Sequence, residues 1–396
     1  MNIKFILILG TIKIIILTIL LTLSGLQKAN RFEDLASTRY GNEDELTLLF
    51  FGDVMQHIPQ MESAYDKSSD SYRYDSCFSY ISGLISSADM AIGNLEVTLA
   101  GKPYTGYPTF SAPDALIPAL SRAGTDVLVT ANNHSCDKGL KGILRTIQVL
   151  DTLGMPHTGT FRNAADRDTL QPVIVDKKGI ILALLNYTYG TNGINVPAPA
   201  IVDLIDTAQI RKDYLKARNK GVDEVIVFFH WGEEYKREPV AVQRELAAFC
   251  HQLGIRMVIG SHPHVIEPME AVTDSLGNIK EVTVYSLGNF ISNQRDRYRN
   301  GGALFELTLK REGDSIRILR PGYHLAWVHT PFRNGKVRYQ VLPVKSFEND
   351  SLFLARPDLL KIREFATDAR ALLNEHNNNI PENPDLYRLP APITDY

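Results

Sequence analysis

Cysteine is scarce in this chain, and the three that occur argue against most of what cysteine does. Cys77, Cys136 and Cys250 are an odd number with no metal-type spacing. That speaks against a disulfide framework and allows one pair at most. Cys136, although close to a histidine, reads as a small packing residue. Charge of one sign is missing too. A net charge of −3, with histidine counted neutral, sets up no field that would draw nucleic acid or an anionic membrane surface. Internal repeats are absent. An apolar fraction of 44% and a charged fraction of 22% over 396 residues describe an ordinary globular protein, with room for one large domain and appendages or for two domains.

Very long apolar stretches are confined to the N-terminus, where residues 5–26 are interrupted only by Lys13. Residues 14–26 have the length of a signal-peptide apolar region, and the whole stretch spans a bilayer if Lys13 snorkels. Residues 1–29 are therefore expected to be a signal peptide or N-terminal membrane anchor, with 30–45 as a linker. No cysteine follows to carry a lipid and no small-x-small cleavage site is visible, which tilts the reading towards an uncleaved anchor. Either way the bulk of the chain is expected outside the cytoplasmic membrane, exported or anchored.

What the chain does have is one placement repeated six times. Short apolar runs over 46–50, 90–92, 126–129, 224–229, 256–259 and 281–285 read as buried strands. Behind them come Phe51-Gly52-Asp53-Val54-Met55, Gly93-Asn94-Leu95-Glu96, Ala131-Asn132-Asn133-His134, His230-Trp231-Gly232-Glu233-Glu234, Gly260-Ser261-His262-Pro263-His264 and Ser286-Leu287-Gly288-Asn289-Phe290. In α/β sheets, sites gather outside the carboxyl ends of the strands. Six such blocks, all rich in Asp, Glu, Asn or His, point to one polar site.

Helical patterns over 114–123, 141–153, 203–218 and 240–253 alternate with these runs, as in an α/β domain over 46–310. A C-terminal extension over 311–375 reads as strands at 316–319, 325–329 and 337–344, with Asn334-Gly335 as a hairpin turn, then an amphipathic helix over 357–373. Residues 376–396 read as a disordered tail. The stretch 62–80 has no assignable pattern, and 192–199 reads as an irregular loop able to form part of the site wall.

Each site residue has a plainer reading. An Asp after a strand is commonly a turn residue, lone asparagines form turns, and Glu96 has Lys102 as a conceivable partner. His57, His157, His251, His324, His329 and His376 have no such context and read as surface or core residues. The repetition outweighs this. With His134 set aside, one Asp, one Glu, one Asn and three His make an O/N donor set suited to divalent Zn, Mn, Fe or Ni and lacking the thiolates of a structural zinc site. Six donors are too many for one tetrahedral ion and match two ions sharing a carboxylate.

These blocks, together with Tyr235 after Glu234, resemble the CapA family of capsule or poly-γ-glutamate biosynthesis proteins, related to calcineurin-like metallophosphoesterases. The resemblance covers about residues 46–309, with Ser111-Ala112-Pro113 matching a further family loop. It implies an α/β fold of four layers, an αββα sandwich of two sheets between helices. By analogy Asp53 and His264 bind one metal, Asn133, His230 and His262 the other, and Glu96 bridges, the pair of ions being Mn, Zn or Fe. His134 matches the general acid, oriented by Asp137, with a metal-bound hydroxide as nucleophile. Asn94, Asn132, Glu234 and Asn289 become supporting or substrate-facing groups. The phosphoesterase Asp-x-His is Asp53-Val54-Met55 here.

The implied role is that of an extracytoplasmic metal-dependent hydrolase or transferase acting on an anionic polymer such as poly-γ-glutamate, within reach of a membrane synthase complex. Lys102, Lys236 and Arg237 are available to receive an anion. A non-catalytic assembly or export component of a capsule-polymer synthase, and a plain phosphodiesterase, remain alternatives.

Overall fold

The apolar runs become the parallel core of a mixed sheet. A computed structural model describes residues 44–333 and 335–384. The N-terminal segment and linker expected over 1–45 lie outside these residues apart from the last two, and so does the tail from 385. Among the described residues no helix is long and apolar enough to cross a membrane.

The strands that matter for the site are β1 (Glu45–Val54), β2 (Met90–Leu95), β3 (Val127–Val129), β4 (Ile180–Thr188), β5 (Glu224–His230), β6 (Met257–Ser261), β7 (Ile279–Val284), β8 (Asn289–Ile291), β9 (Gly301–Glu312) and β10 (Ser315–His329). They belong to a 14-stranded sheet in which β3-β2-β1 lead through β9 and β10 to β7-β6-β5-β4. Strands β1, β2 and β3 are mutually parallel, as are β4, β5, β6 and β7. The long β9–β10 hairpin is antiparallel.

Burial shows that this sheet is folded over on itself. Along β1 the side chains alternate. Leu48 and Phe50 join Leu182, Phe228 and Ile259 from the other half in a central cluster. Leu49 and Phe51 pack outwards with Leu116, Leu120 and Leu150, from helices α1 (Leu116–Arg122) and α2 (Gly139–Thr152). On the far side Val227 and Phe229 pack against Ile210 and Leu246, from α3 (Thr207–Asn219) and α4 (Ala241–Leu253). Helices, sheet, sheet, helices are the four layers expected, although the two sheets are one hydrogen-bonded whole joined through β9 and β10.

Several sequence expectations shift. The helix expected from 203 starts at Thr207, because Asp206 accepts the amides of Ala208 and Gln209 as N-cap, while Asp203 is buried against Arg167. The unassigned 62–80 holds the end of a short helix, Ile58–Ala64, and a small hairpin pairing Tyr65 with Tyr72. β10 is a single strand across the two expected runs, and a small hairpin pairs Phe332 with Val337. The C-terminal segment is integral: Ile362, Phe365 and Leu373 of α5 (Arg356–His376) enter the central cluster. The first residues of the expected disordered tail are ordered, since Asn378 bridges to Glu270 and Glu382 to Tyr323. All three cysteines are free and buried, and Cys136 packs with Ala131 and Ile143.

Candidate metal centre

Both halves of the sheet deliver their chemistry at their carboxyl ends. Asp53 lies at the end of β1, where the register with β2 slips after Phe51 and Asp53 comes opposite Asn94. The slip needs Gly52, because a Cβ there would sit 2.0 Å from the Gly288 carbonyl oxygen. Glu96 follows β2, held by its amide to the Val54 carbonyl at 3.1 Å. His230 and Ser261 end β5 and β6. His262 and His264 follow with φ of 107° and 58°, a left-handed backbone that L-residues seldom adopt.

The ligating atoms fall into two groups that share one carboxylate. Glu96, His230 and His262 form one, and Asp53, Glu96 and His264 the other, with one donor atom from each residue within 4.8 Å of the rest of its group. Glu96 Oε1 is 3.6 Å from His230 Nε2 and 3.8 Å from His264 Nε2. Asn133 Oδ1 lies 2.9 Å from the same His230 nitrogen, and the ring of His262 is 4.6 Å from that of His230. Asp53 takes His264 Nδ1 at 3.0 Å on one oxygen and Asn94 Nδ2 at 2.8 Å on the other. Asn94 Nδ2 also reaches Ser261 Oγ at 3.0 Å and His230 Nδ1 at 3.3 Å.

Electrostatics separates the two carboxyls. Burial raises the pKa of Glu96, and the charge of Asp53 adds to it, taking it well above the carboxylate range. Burial would raise Asp53 as well, but the hydrogen bond and charge of His264, with His230 and Asn94, outweigh it and hold the group below that range. Burial, then the neighbouring histidines, depress His230 well below its usual value and His262 to about 3. Neutral imidazoles are the form that binds metal.

The donor set fits divalent metal. Both oxygens of Glu96, His262 Nδ1 and Asn94 Oδ1 are buried without a hydrogen-bond partner, an arrangement that costs free energy unless something polar fills the space. The donors are imidazole nitrogens and carboxyl oxygens, suited to Zn, Mn or Fe. Met55 is buried in an apolar cluster with Phe290 and Ile291 and offers no imidazole to the Asp53 group.

Beside this centre His134 and Asp137 form a dyad, with Nδ1 and Oδ2 2.8 Å apart. The same Asp137 oxygen accepts the Phe110 amide at 2.6 Å, and the Phe110 ring meets the His134 ring edge-on at 4.6 Å. Asn132 shapes the turn: its Oδ1 accepts the His134 amide at 3.0 Å and its Nδ2 donates to the Leu95 carbonyl at 2.8 Å. Asn133 Nδ2 lies 3.3 Å from Asn192 Oδ1, which brings the loop over 192–199 to the site.

The other expected residues stand in different relations to the centre. Asn289 pairs in register with Asp53; its Nδ2 donates to Gln294 Oε1 and the Arg299 carbonyl, and its Oδ1 is buried without a hydrogen-bond partner. Glu234 and Lys102 are exposed, and the charge of Glu234 acts on Glu96 and Tyr189. Arg237 donates to the Asp368 carbonyl and lies over the Tyr298 ring. His57, read as a background histidine, sits where His264 and His134 act on it; burial first, then those charges, lower it to about 4.

Three contributors were missed. Asn186 accepts the Thr130 and Ala131 amides at 3.1 and 2.6 Å and so fixes the Asn-Asn-His turn. Tyr189 lays its ring 4.6 Å from that of His262 while 47% exposed. Phe110 is the third. A buried asparagine inside an apolar strand was the available sign of the first.

The family model described as bacterial capsule synthesis protein PGA_cap matches residues 47–294. The chain belongs to that family. Over 307 residues this PGA_cap chain is 27% identical to the capsule biosynthesis protein CapA of Bacillus anthracis, covering 74% of this chain and 70% of that one. It is 28% identical over 291 residues to the PGA biosynthesis protein CapA of Bacillus subtilis (strain 168), covering 69% and 70%. Among solved structures it is similar to the NAD nucleotidase of Haemophilus influenzae, with a TM-score of 0.44 and 11% identity over 86% of this chain and 65% of that one. It is also similar to the calcineurin-like phosphoesterase YfkN of Bacillus subtilis, with a TM-score of 0.41 and 15% identity over 81% and 99%. The chain thus spans just under two thirds of the nucleotidase's length.

Proposed function

We propose that this chain is a metal-dependent hydrolase or transferase of capsule-polymer biosynthesis, working outside the cytoplasmic membrane and exported or tethered through residues 5–26. The observation that carries the reading is the pair of buried ligand groups sharing Glu96 beside an independent His134–Asp137 dyad. A purely structural metal site needs no such dyad. The relatives named for capsule and PGA biosynthesis favour a polymer substrate, with γ-linked polyglutamate as the class.

Asp53 and His264 would hold one divalent ion, His230, His262 and Asn133 the other, with Glu96 between them. Ions held there supply Lewis-acid polarisation of the scissile group and activation of water. The chain supplies the rest. Asp137 fixes the His134 ring through Nδ1 and leaves Nε2 as the nitrogen that passes a proton to the leaving group. Phe110 and Tyr189 cover the flanks of His134 and His262 and limit access of bulk water.

A non-catalytic assembly role is the second reading, favoured by Met55, which leaves the Asp53 group one ligand short of the phosphoesterase pattern. Polymer length after incubation with metal-loaded His134→Asn separates the two. The enzymatic reading expects turnover to fall by about 10²–10⁴ at unchanged metal content; wild-type turnover in the variant would sink it.

A further inference from the structure

The loop after β8 brings a cation to the rim of the centre. Asn289 is wholly buried beside Asp53, and its side-chain amide donates to the Arg299 carbonyl at 2.8 Å. The backbone of Arg299 is therefore tied to the strand pair that carries a proposed metal ligand. Its guanidinium carbon lies 4.4 Å from the centroid of the Tyr235 ring, and that ring lies 6.2 Å from the ring of His264. Arg299, Tyr235 and His264 thus form a continuous stack leading away from the metal-ligand groups.

The middle of this row, its His264 end and the residue before Arg299 sit on left-handed backbone. Tyr235 has a φ of 67° and Tyr298, next to Arg299, a φ of 73°. Bulky residues rarely occupy that region, and holding them there stores strain. The Tyr235 amide donates to the Pro263 carbonyl at 2.8 Å, which couples its position to the His262-Pro263-His264 turn. Strain held next to a ligand turn is common at recognition elements.

The stack is open to solvent. Tyr235 is 47% exposed. The Arg299 side chain is 22% exposed and its partner Asp296, three residues earlier, has a side chain 74% exposed. A pair with so exposed a carboxylate is weak, so a substrate anion can take the place of Asp296. Glu234, also exposed, hydrogen-bonds the tyrosine, so an anion bound at Arg299 must outweigh its negative charge.

We propose that Arg299, seated on Tyr235, is the anion-recognition subsite of this centre and binds a carboxylate or phosphate group of the substrate beside His264. The proposal rests on the polymer-processing reading above and adds to it the residue that selects an anionic substrate. Guanidinium matches carboxylate and phosphate in the same bidentate geometry. A γ-linked glutamate chain offers a free carboxylate on every unit and a phosphoester offers the phosphate.

The test is calorimetric titration of the full chain with γ-linked triglutamate and with orthophosphate, on metal-free and metal-loaded protein, for wild type, Arg299→Ala and Arg299→Lys. Metal content and melting temperature are read on the same samples. The alanine variant is expected to bind one of the two anions about tenfold more weakly in the metal-free protein as well, with metal content unchanged. The lysine variant is expected between alanine and wild type, because it keeps the charge and loses the fork. A drop for triglutamate assigns the carboxylate source, and a drop for orthophosphate assigns the phosphate source. Wild-type affinity for both anions in either variant, or no anion binding by wild type at all, overturns the proposal. If alanine fails to fold, the lysine variant decides by the same criterion. Absence of metal from wild type would sink the enzymatic reading, yet the metal-free titrations would still report on Arg299.

Discussion

Replacing Glu96 by glutamine should move stability in opposite directions with and without metal. Without metal, Glu96 is fully buried and neither oxygen has a hydrogen-bond partner. Burial and the adjacent Asp53 push its pKa well up, so the charged form is costly there. Glutamine has the same shape and no charge, and metal-free Glu96→Gln is expected to melt at or slightly above the wild type. With metal the sign reverses. An ion present at a hundred times its dissociation constant adds about 2.7 kcal/mol to stability. An unfolding entropy near 2.1 cal/mol/K per residue amounts to about 0.7 kcal/mol/K for the roughly 350 residues from Leu46 to Tyr396. Each ion then raises the melting temperature by about 4 °C, and two by about 7 °C. Glu96 is common to both ligand groups, so the variant should lose most of that shift. Thermal unfolding in chelator and across a Mn or Zn titration, with elemental analysis, measures both limbs. A metal-induced shift as large in the variant as in wild type would refute the shared-ligand geometry; a metal-free variant melting several degrees lower would refute the burial argument.

Asn186→Ala should destabilise by about 3 kcal/mol, since two buried backbone amides lose their acceptor, and should also disturb the His134 turn; chemical denaturation, with the His134 imidazole resonances as a local probe, checks both, and an unchanged midpoint would argue against it. Glu267 is buried, its Oε2 accepts Gln243 Nε2 at 2.7 Å, and burial, outweighing that bond, raises its pKa to about 8. Its folded value lies above its unfolded one, so its contribution is complete below about pH 4.5 and fades as pH rises through about 8. Glu267→Gln is expected to flatten that decline, which amounts to a few kcal/mol at most; parallel pH–stability curves for variant and wild type would contradict the assignment.

The strand-end residues were legible because a buried parallel strand is an unbroken apolar run, and the first polar residue after it marks the crevice. Asp53, Glu96, His230, His262 and His264 all stand in that relation to β1, β2, β5 and β6. Asn186 escaped because it stands inside β4, two residues before the strand ends at Thr188, and not in a polar block behind an apolar run. Phe110 and Arg299 reach the site along loops whose paths depend on distant anchors, such as the Asp137 oxygen that holds the Phe110 amide. The joining of the two sheets was hidden for another reason: antiparallel pairing of β9 with β10 leaves no period that distinguishes a hairpin across a sandwich from one at its edge.

The fold-over of the sheet has a consequence for how the protein comes into being. Asp53 and His264 are 211 positions apart, Asn94 and Ser261 167, and Asn133 and His230 97. Contacts this remote form late, because chain closure must come before the reward of the contact. A nascent chain stopped at residue 260 would carry Asp53, Glu96 and His230 yet complete neither ligand group, each of which requires a histidine from the turn after β6. Metal capture during synthesis would therefore report that the chain has passed residue 264 and that the two halves of the sheet have met.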